Sequence, residues 1–234
     1  MQVSIRALGI DTCGPVGSVA LGELVEGELR ILGQTELAGR TYSAMLVASV
    51  SKLLAQANIG LAQLNAIVVV NGPGSFTGVR VGLSAVKGLA EGRGGIQVLA
   101  VSRLEVLSFK AGVPSAALDA HREEVFLRLA GSGSEGRELL AGAQELAAID
   151  SQPVRVAVCD DSAVALLSAV WPATEFVRVL APTAADAMAL CLPRVSKGER
   201  ACERADLELL DGHYLRRSDA EIFGEAAAAE PRRT

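Results

Sequence analysis

Aromatic residues are scarce in this sequence, with one Trp, two Tyr and five Phe among 234 residues. A stacking platform for single-stranded nucleic acid needs several aromatics on one surface, so that class is disfavoured. Positive charge is not in excess either. The formal net charge is -5, which argues against a broad basic face, so RNA would have to be held mostly by a partner. His121 and His213 are the only histidines and are too far apart for H-x-x-x-H or H-E-x-x-H. Cys13, Cys159, Cys191 and Cys202 form no C-x-x-C pair, and no zinc site of familiar spacing is visible. They read as thiols in a reducing cytosol. No apolar run reaches the roughly 18 residues that a membrane helix needs. The N-terminus lacks a charged segment followed by an apolar one. Neither a membrane partner nor secretion is expected, and the chain is placed in the cytoplasm.

Half of the residues are hydrophobic, and the length leaves room for two domains with real cores. "IRALGIDT", "GSVALGEL" and "GELRILGQTEL" read as three strands, broken by Gly14, Pro15, Gly22 and Gly27 at hairpin spacing. Residues 43–58 read as a helix that Gly60 could end. "LNAIVVVN" is β-branched and does not alternate, so it suits a strand covered on both faces. A helix over 79–91, the strand "IQVLAV" and a helix over 103–111 follow. Crossovers through helices imply an α/β fold with a mixed sheet. A weaker version of the same order comes next. "SAALDA" and "REEVFLRLAG" form a hairpin, "VRVAVCD" leads into a helix over 162–170, and "EFVRVL" leads into one over 184–195. The boundary falls near 102–105. Residues 1–103 make one domain, 104–218 a smaller second one, and 219–234 a tail that is disordered at its end. Without a low-complexity linker the two halves should pack together.

The stretch "GPGSFTG" follows a strand and opens a helix, as phosphate loops do. It has no Gly-Lys pair, and Lys87 lies deep in the helix, so it is not a P-loop. Gly72, Gly74 and Gly78 give G-x-G-x-x-x-G, one residue too long for the dinucleotide fingerprint. The helix start would still favour an anion. The other reading is a tight turn whose glycines allow positive φ and close packing. Ser75 and Thr77 suit helix caps and are not in G-x-S-x-G. Asp11 ends the first strand, where a carboxylate and hairpin amides could hold a metal-bound water and a phosphate, or simply cap a turn. Asp119, Glu123 and Glu124 could do acid–base work or be surface charges. Gly78, Gly82 and Ala85 share a helix face that would let another helix come close. Val79, Leu83, Val86 and Ala90 form an adjacent apolar stripe. In the helix over 43–58, Lys52 is the one charge, and Met45, Leu46, Val47, Val50, Leu53 and Leu54 spread beyond a single stripe. Such a helix needs cover on most sides, from the sheet and then from a neighbouring half or a partner.

"IDTCGPVGSVAL", "NGPGSFTGVRVGLSAVKGLAEG", "LDAHREEVFL" and "HYLRRSDAE" occur in that order over nearly the whole chain. Together they resemble the TsaB (YeaZ) family of bacterial tRNA threonylcarbamoyladenosine synthesis. The G-P-G-S-F-T-G-x-R-x-G run is specific to that family, whereas the Asp11 motif alone suggests the wider actin-like ATPase (ASKHA) superfamily. The resemblance implies an actin-like fold of two related domains. It implies a subunit without catalytic activity of its own. In the family the larger paralogue TsaD carries the metal and modifies adenosine 37, while TsaB binds TsaD and helps recruit the ATPase TsaE. The tRNA is then reached indirectly, through the complex. Binding in the family is through the helices matching 43–58 and 79–91, here with Met45, Leu46, Val50, Leu53, Gly78, Val79, Gly82, Leu83 and Val86. An uncovered helix pair would also self-associate, so a homodimer is expected in isolation. No cofactor is firmly indicated. Asp11 and Thr12 are the residues of a degenerate nucleotide site, with ATP or ADP at the partner interface. "VCDDSAVALL" places Asp160 and Asp161 where the superfamily has adenosine-binding glycines. The chain departs from the family before the first helix, where Arg40 and Tyr42 replace a His and a Ser or Thr. The alternative is an ATP-dependent kinase or ATPase of the superfamily, for which Asp11 alone qualifies. A peptidase would have no nucleophile–base pair or metal motif.

Overall fold

A computed structural model of the chain describes residues 4–39, 41–131, 136–196, 203–204, 206–207 and 209–216. The first three strands, β1 (Ser4–Asp11), β2 (Val16–Val25) and β3 (Glu28–Ala38), form an antiparallel meander. Then come α1 (Tyr42–Gln56), β4 (Ala66–Val70), α2 (Phe76–Arg93), β5 (Gln97–Val101) and α3 (Arg103–Ala111). The second half repeats this order with β6 (Ala116–Asp119), β7 (Val125–Leu129), β8 (Arg137–Ala141), α4 (Ala143–Ala147), β9 (Arg155–Val158), α5 (Asp161–Val170), β10 (Glu175–Arg178) and α6 (Ala184–Ser196). A short strand, β11 (Glu203–Arg204), follows.

Among the described residues the strands form two sheets, in the orders β11-β5-β4-β1-β2-β3 and β10-β9-β6-β7-β8. In each, the meander continues through a parallel crossover onto its first strand. Every residue of β4 is buried, which explains why its sequence is apolar without alternation. α1 ends four residues before Gly60, and Asn58 supplies the left-handed residue, at φ 54. β8 and α4 were not expected from the sequence.

The last helix of each repeat crosses to the other half. Leu104 and Leu107 of α3 pack with Ala116, Leu118 and Ala157 of the second sheet. Ala184, Ala187, Met188 and Leu192 of α6 belong instead to the core of the first sheet. The Ala184 N–H donates to the Ser18 hydroxyl at 2.8 Å. Met188 fills the space left by Gly9 and Gly22, where an added Cβ would come within 2.8 Å of its side chain. The span 104–218 is therefore not one contiguous domain, because α6 and β11 complete the first sheet. The apolar face of α6 matches the uncovered face of β1, β2 and β4, which is the physical reason for the return.

Trp171 is fully buried in the second core, and its indole N–H donates to the Leu146 carbonyl at 3.1 Å. Cys13 and Cys159 are free thiols, whereas Cys191 is disulfide-bonded, which corrects the expectation of thiols throughout. Arg40, Cys202 and the tail 219–234 lie outside the described residues. Among the described residues no helix is long and apolar enough to cross a membrane.

Two glycines of α2 separate close packing from simple helix propensity. A Cβ at Gly78 would run into the Thr12 carbonyl, whereas one at Gly88 meets nothing within 4 Å. Gly78→Ala is expected to cost about 2 kcal/mol through overpacking. Gly88→Ala should add about 1 kcal/mol through helix propensity. Urea denaturation of the two variants measures both.

Candidate functional site

The turn after β1 lies directly on the start of α2. The Thr12 hydroxyl donates to the Gly78 carbonyl at 2.7 Å, and the Ser75 N–H donates to the Cys13 carbonyl at 2.8 Å. The Cys13 thiol donates to the Val70 carbonyl at 3.2 Å. A Cβ at Gly74 would strike the Cys13 carbonyl, and one at Gly82 the Thr12 hydroxyl. The glycine row therefore admits this turn of the same chain and not another helix. The Ser75 hydroxyl caps α2 by accepting from the Gly78 N–H at 3.3 Å. Thr77 lies inside the first helical turn.

Asp11 points inward. Its carboxylate is 0% exposed, Oδ1 accepts from the Cys13 N–H at 2.8 Å, and Oδ2 lies 3.6 Å from Nε of Arg103. The Arg103 side chain is itself 7% exposed. Its burial favours the neutral form, but Asp11 together with Cys13, Cys159 and Tyr42 outweighs that and raises its pKa. Burial and then the Asp11 charge push the Cys13 thiol well above its ordinary value, so it is no reactive thiolate. The same two causes push Tyr42 up to about 12. The Tyr42 hydroxyl donates to the Gly14 carbonyl at 2.6 Å, and this bond ties α1 to the hairpin turn.

A metal-bound phosphate would need the Asp11 carboxylate facing open space. Here a guanidinium covers it, and the Thr12 hydroxyl is spent on Gly78. These residues do not fit a metal–nucleotide group, which also removes the support Asp11 gave to a kinase or ATPase.

A cavity of about 1270 Å³ opens between the two sheets. The turns after β1 and β6, the start of α2, the end of β9 and residues 213–216 line it. In the turn after β6, His121, Arg122 and Glu123 have φ of 60, 56 and 59. Three successive non-glycine residues in the left-handed region cost about 1 kcal/mol or more each. Asp119 holds them, accepting from the His121 N–H at 2.8 Å and lying 3.0 Å from its Nδ1. Arg216 pairs with Glu124 from the other side. These carboxylates are thus engaged in shaping the turn and do not form an acid–base pair. Asp160 caps α5 through the Ala163 N–H at 2.7 Å and also accepts from the Asp119 N–H at 3.1 Å. Burial raises the Cys159 thiol, with Arg103 opposing.

Glu138 of β8 clasps the halves together and was not found from sequence. Its side chain is 6% exposed and accepts from Ser102 at 2.6 Å and Arg128 at 2.8 Å, with His213 Nε2 at 2.8 Å. The His213 N–H also donates to the Asn71 carbonyl at 2.7 Å. Burial pushes the Glu138 pKa up, and the hydrogen bonds from His213, Ser102 and Arg128 outweigh it and hold the group below its ordinary value. No signal in the glycine- and serine-rich segment before β8 marks this residue.

On the outer side, α1 and α2 border a groove of about 610 Å³. Of the nine residues expected at a partner surface, only Met45 is exposed, at 48%. Leu46, Val50, Leu53, Val79, Leu83 and Val86 belong to the first core, and Gly78 and Gly82 face Thr12. The apolar stripes turn to the sheet because it removes the most apolar area from water. The outward residues are Ser43, Met45, Val47, Ala48, Ser51 and Lys52 of α1, with Phe76, Thr77, Arg80 and Ser84 of α2. Val47 is 56% exposed and Phe76 37%. The Arg80 guanidinium sits 3.8 Å from the Phe76 ring centre, and Tyr214 lies 5.1 Å away on that ring.

Two repeats of one mixed-sheet unit, exchanging their last helices around a cleft, define an actin-like (ASKHA) α/β protein. Comparison with known proteins narrows the class. Residues 33–147 match the model of the family described as TsaD, tRNA N6-adenosine threonylcarbamoyltransferase. The chain is 36% identical over 129 residues to the tRNA threonylcarbamoyladenosine biosynthesis protein TsaB of Haemophilus influenzae, covering 53% of this chain and 52% of that one. It is 33% identical over 128 residues to the protein of the same name from Escherichia coli, covering 52% and 53%. The chain spans about half the length of the curated relatives it matches. Among solved structures, YeaZ from Pseudomonas aeruginosa superposes with a TM-score of 0.68 at 26% identity, over 90% of this chain and 100% of that one. The chain is thus similar to TsaB (YeaZ) proteins, over about half its length in sequence and over most of it in fold.

The folded-state pKa of Glu138 lies below its unfolded value. Its contribution to stability is complete above that unfolded value, near 4.5, and is lost as the pH falls through the folded one. Glu138→Ala leaves the Arg128 charge buried and should cost about 3 kcal/mol at neutral pH. The deficit relative to wild type should shrink in acid. Urea denaturation at several pH values between neutral and acid checks both statements.

Proposed function

We propose that the chain is a subunit without catalytic activity of its own that binds a TsaD-type paralogue in tRNA threonylcarbamoyladenosine synthesis. One observation carries the reading of the surface. The outward face of α1 and α2 is built mainly from small and apolar side chains, with Val47 and Phe76 exposed around a groove, Met45 exposed elsewhere on α1, and Lys52 and Arg80 as its charges. A surface of that kind, poor in charge, resembles the centre of a protein interface. The names of the relatives supply the process. The chain also helps recruit the ATPase TsaE, and the tRNA is reached through the paralogue. In isolation the same face pairs two copies of this chain. ATP or ADP at the interface would rest on the partner's groups, since Asp11 and Thr12 are turned inward.

Val47→Glu and Ser84→Arg place charge on the outward face. Each is expected to weaken the complex with the TsaD-type paralogue by about 2 kcal/mol, as for a central interface residue, with an unchanged melting temperature. Val86→Glu alters a residue that is 0% exposed and should unfold the chain instead. Calorimetric titration and thermal melts separate the two effects. Wild-type affinity in both surface variants would place the partner elsewhere. Sedimentation should show the wild-type chain dimeric in isolation and both surface variants monomeric.

A further inference from the structure

The inter-sheet cleft holds an arginine that is built in but not fully used. Arg103 lines the cavity with its side chain 7% exposed. It donates no side-chain hydrogen bond to any described residue. Its contact with Asp11 is long, at 3.6 Å, and neither Nε nor the facing Oδ2 has a hydrogen-bond partner. Gly14 leaves the guanidinium its space, since a Cβ there would strike a terminal nitrogen. The Arg103 backbone is fixed by its N–H donating to the Gly72 carbonyl at 2.6 Å. The start of α2 lines the same cavity. With the Ser75 hydroxyl serving Gly78, the N–H groups of Phe76 and Thr77 have no acceptor inside the helix. A buried fork of donors and a helix start therefore face one space.

We propose that this cleft binds a small molecule bearing a single carboxylate on an apolar body, anchored by Arg103. Charge selects the class. Asp11 sits behind the guanidinium and offsets it, and Asp119 and Asp160 line the cavity together with Arg122 and Arg216. A multiply charged phosphate would exceed the small positive surplus of this lining, while one carboxylate matches the planar fork of Arg103. Leu118, Phe126 and Tyr214 supply apolar wall. The cleft shares Tyr42, Ser43, Phe76, Thr77 and Val81 with the groove on α1 and α2, but its anchor, Arg103, lines the cleft alone, so the binding does not depend on the partner reading.

The test uses the full chain, with hippurate as the carboxylate probe and hippuramide as its neutral counterpart. Nitrogen-15 NMR follows the Arg103 Nε–H and the amides of Phe76 and Thr77. Hippurate is expected to shift all three saturably, and hippuramide none of them. Arg103→Lys, which loses the fork but keeps the charge, should weaken hippurate about tenfold, the worth of a charge-assisted hydrogen bond. Asp160→Asn retains a cap for α5 and removes one cleft charge. It should tighten hippurate about twofold, which keeps the proposal testable if the lysine variant does not fold. Absent saturation, equal binding of the amide, unchanged affinity in Asp160→Asn, or preference for inorganic phosphate or magnesium ATP would each overturn it.

Discussion

The turn Thr12–Cys13 rests on the glycine-lined start of α2, and much of the architecture depends on that contact. With Gly74, Gly78 and Gly82 beneath it, the turn comes close enough for the Thr12 hydroxyl to bond the Gly78 carbonyl. This fixes where α2 begins and which side of it meets the sheet. Val79, Leu83 and Val86 go inward, and Phe76, Arg80 and Ser84 are left outside. The same contact holds Asp11 against Arg103 and away from open space. One packing decision thus turns Asp11 away from the cleft and sets the outward face beside α1.

The halves are joined by exchanged helices and by buried hydrogen bonds. Each gives its last helix to the other's sheet, and Glu138 gathers Ser102, Arg128 and His213 at the crossing. The strained turn at His121–Glu123 is held by side chains from that same region, including Arg216. The cleft is therefore walled by contacts with little freedom to open independently, which suits a preformed pocket more than a hinge.

The first half was largely legible in the sequence. Its strands are long or continuously apolar, and its helices carry clear caps at Ser75 and Ser102. The second half was harder. β8 reads Arg-Glu-Leu-Leu-Ala after a glycine- and serine-rich stretch, and α4 has only five residues. The return of α6 to the first sheet depends on long-range packing against Gly9 and Gly22, which local pattern does not encode. The helices of the outward face were found, but not the side of them that faces out. The strongest apolar signals, at Leu46, Val50, Leu83 and Val86, belong to the core. Many of the exposed positions are Ser, Ala and Thr, whose small size gives no periodic signal. The pairing of Asp11 with Arg103 joins two distant motifs, and neither marks the other.

Hydrogen exchange along the chain, with and without a TsaD-type paralogue, tests most directly whether the outward side of α1 and α2 is the working surface. The expected result is slowed exchange over 42–52 and 76–85, with the cleft turn at 119–124 unchanged. Slowed exchange confined to the cleft turn, with both helices unaffected, would contradict it.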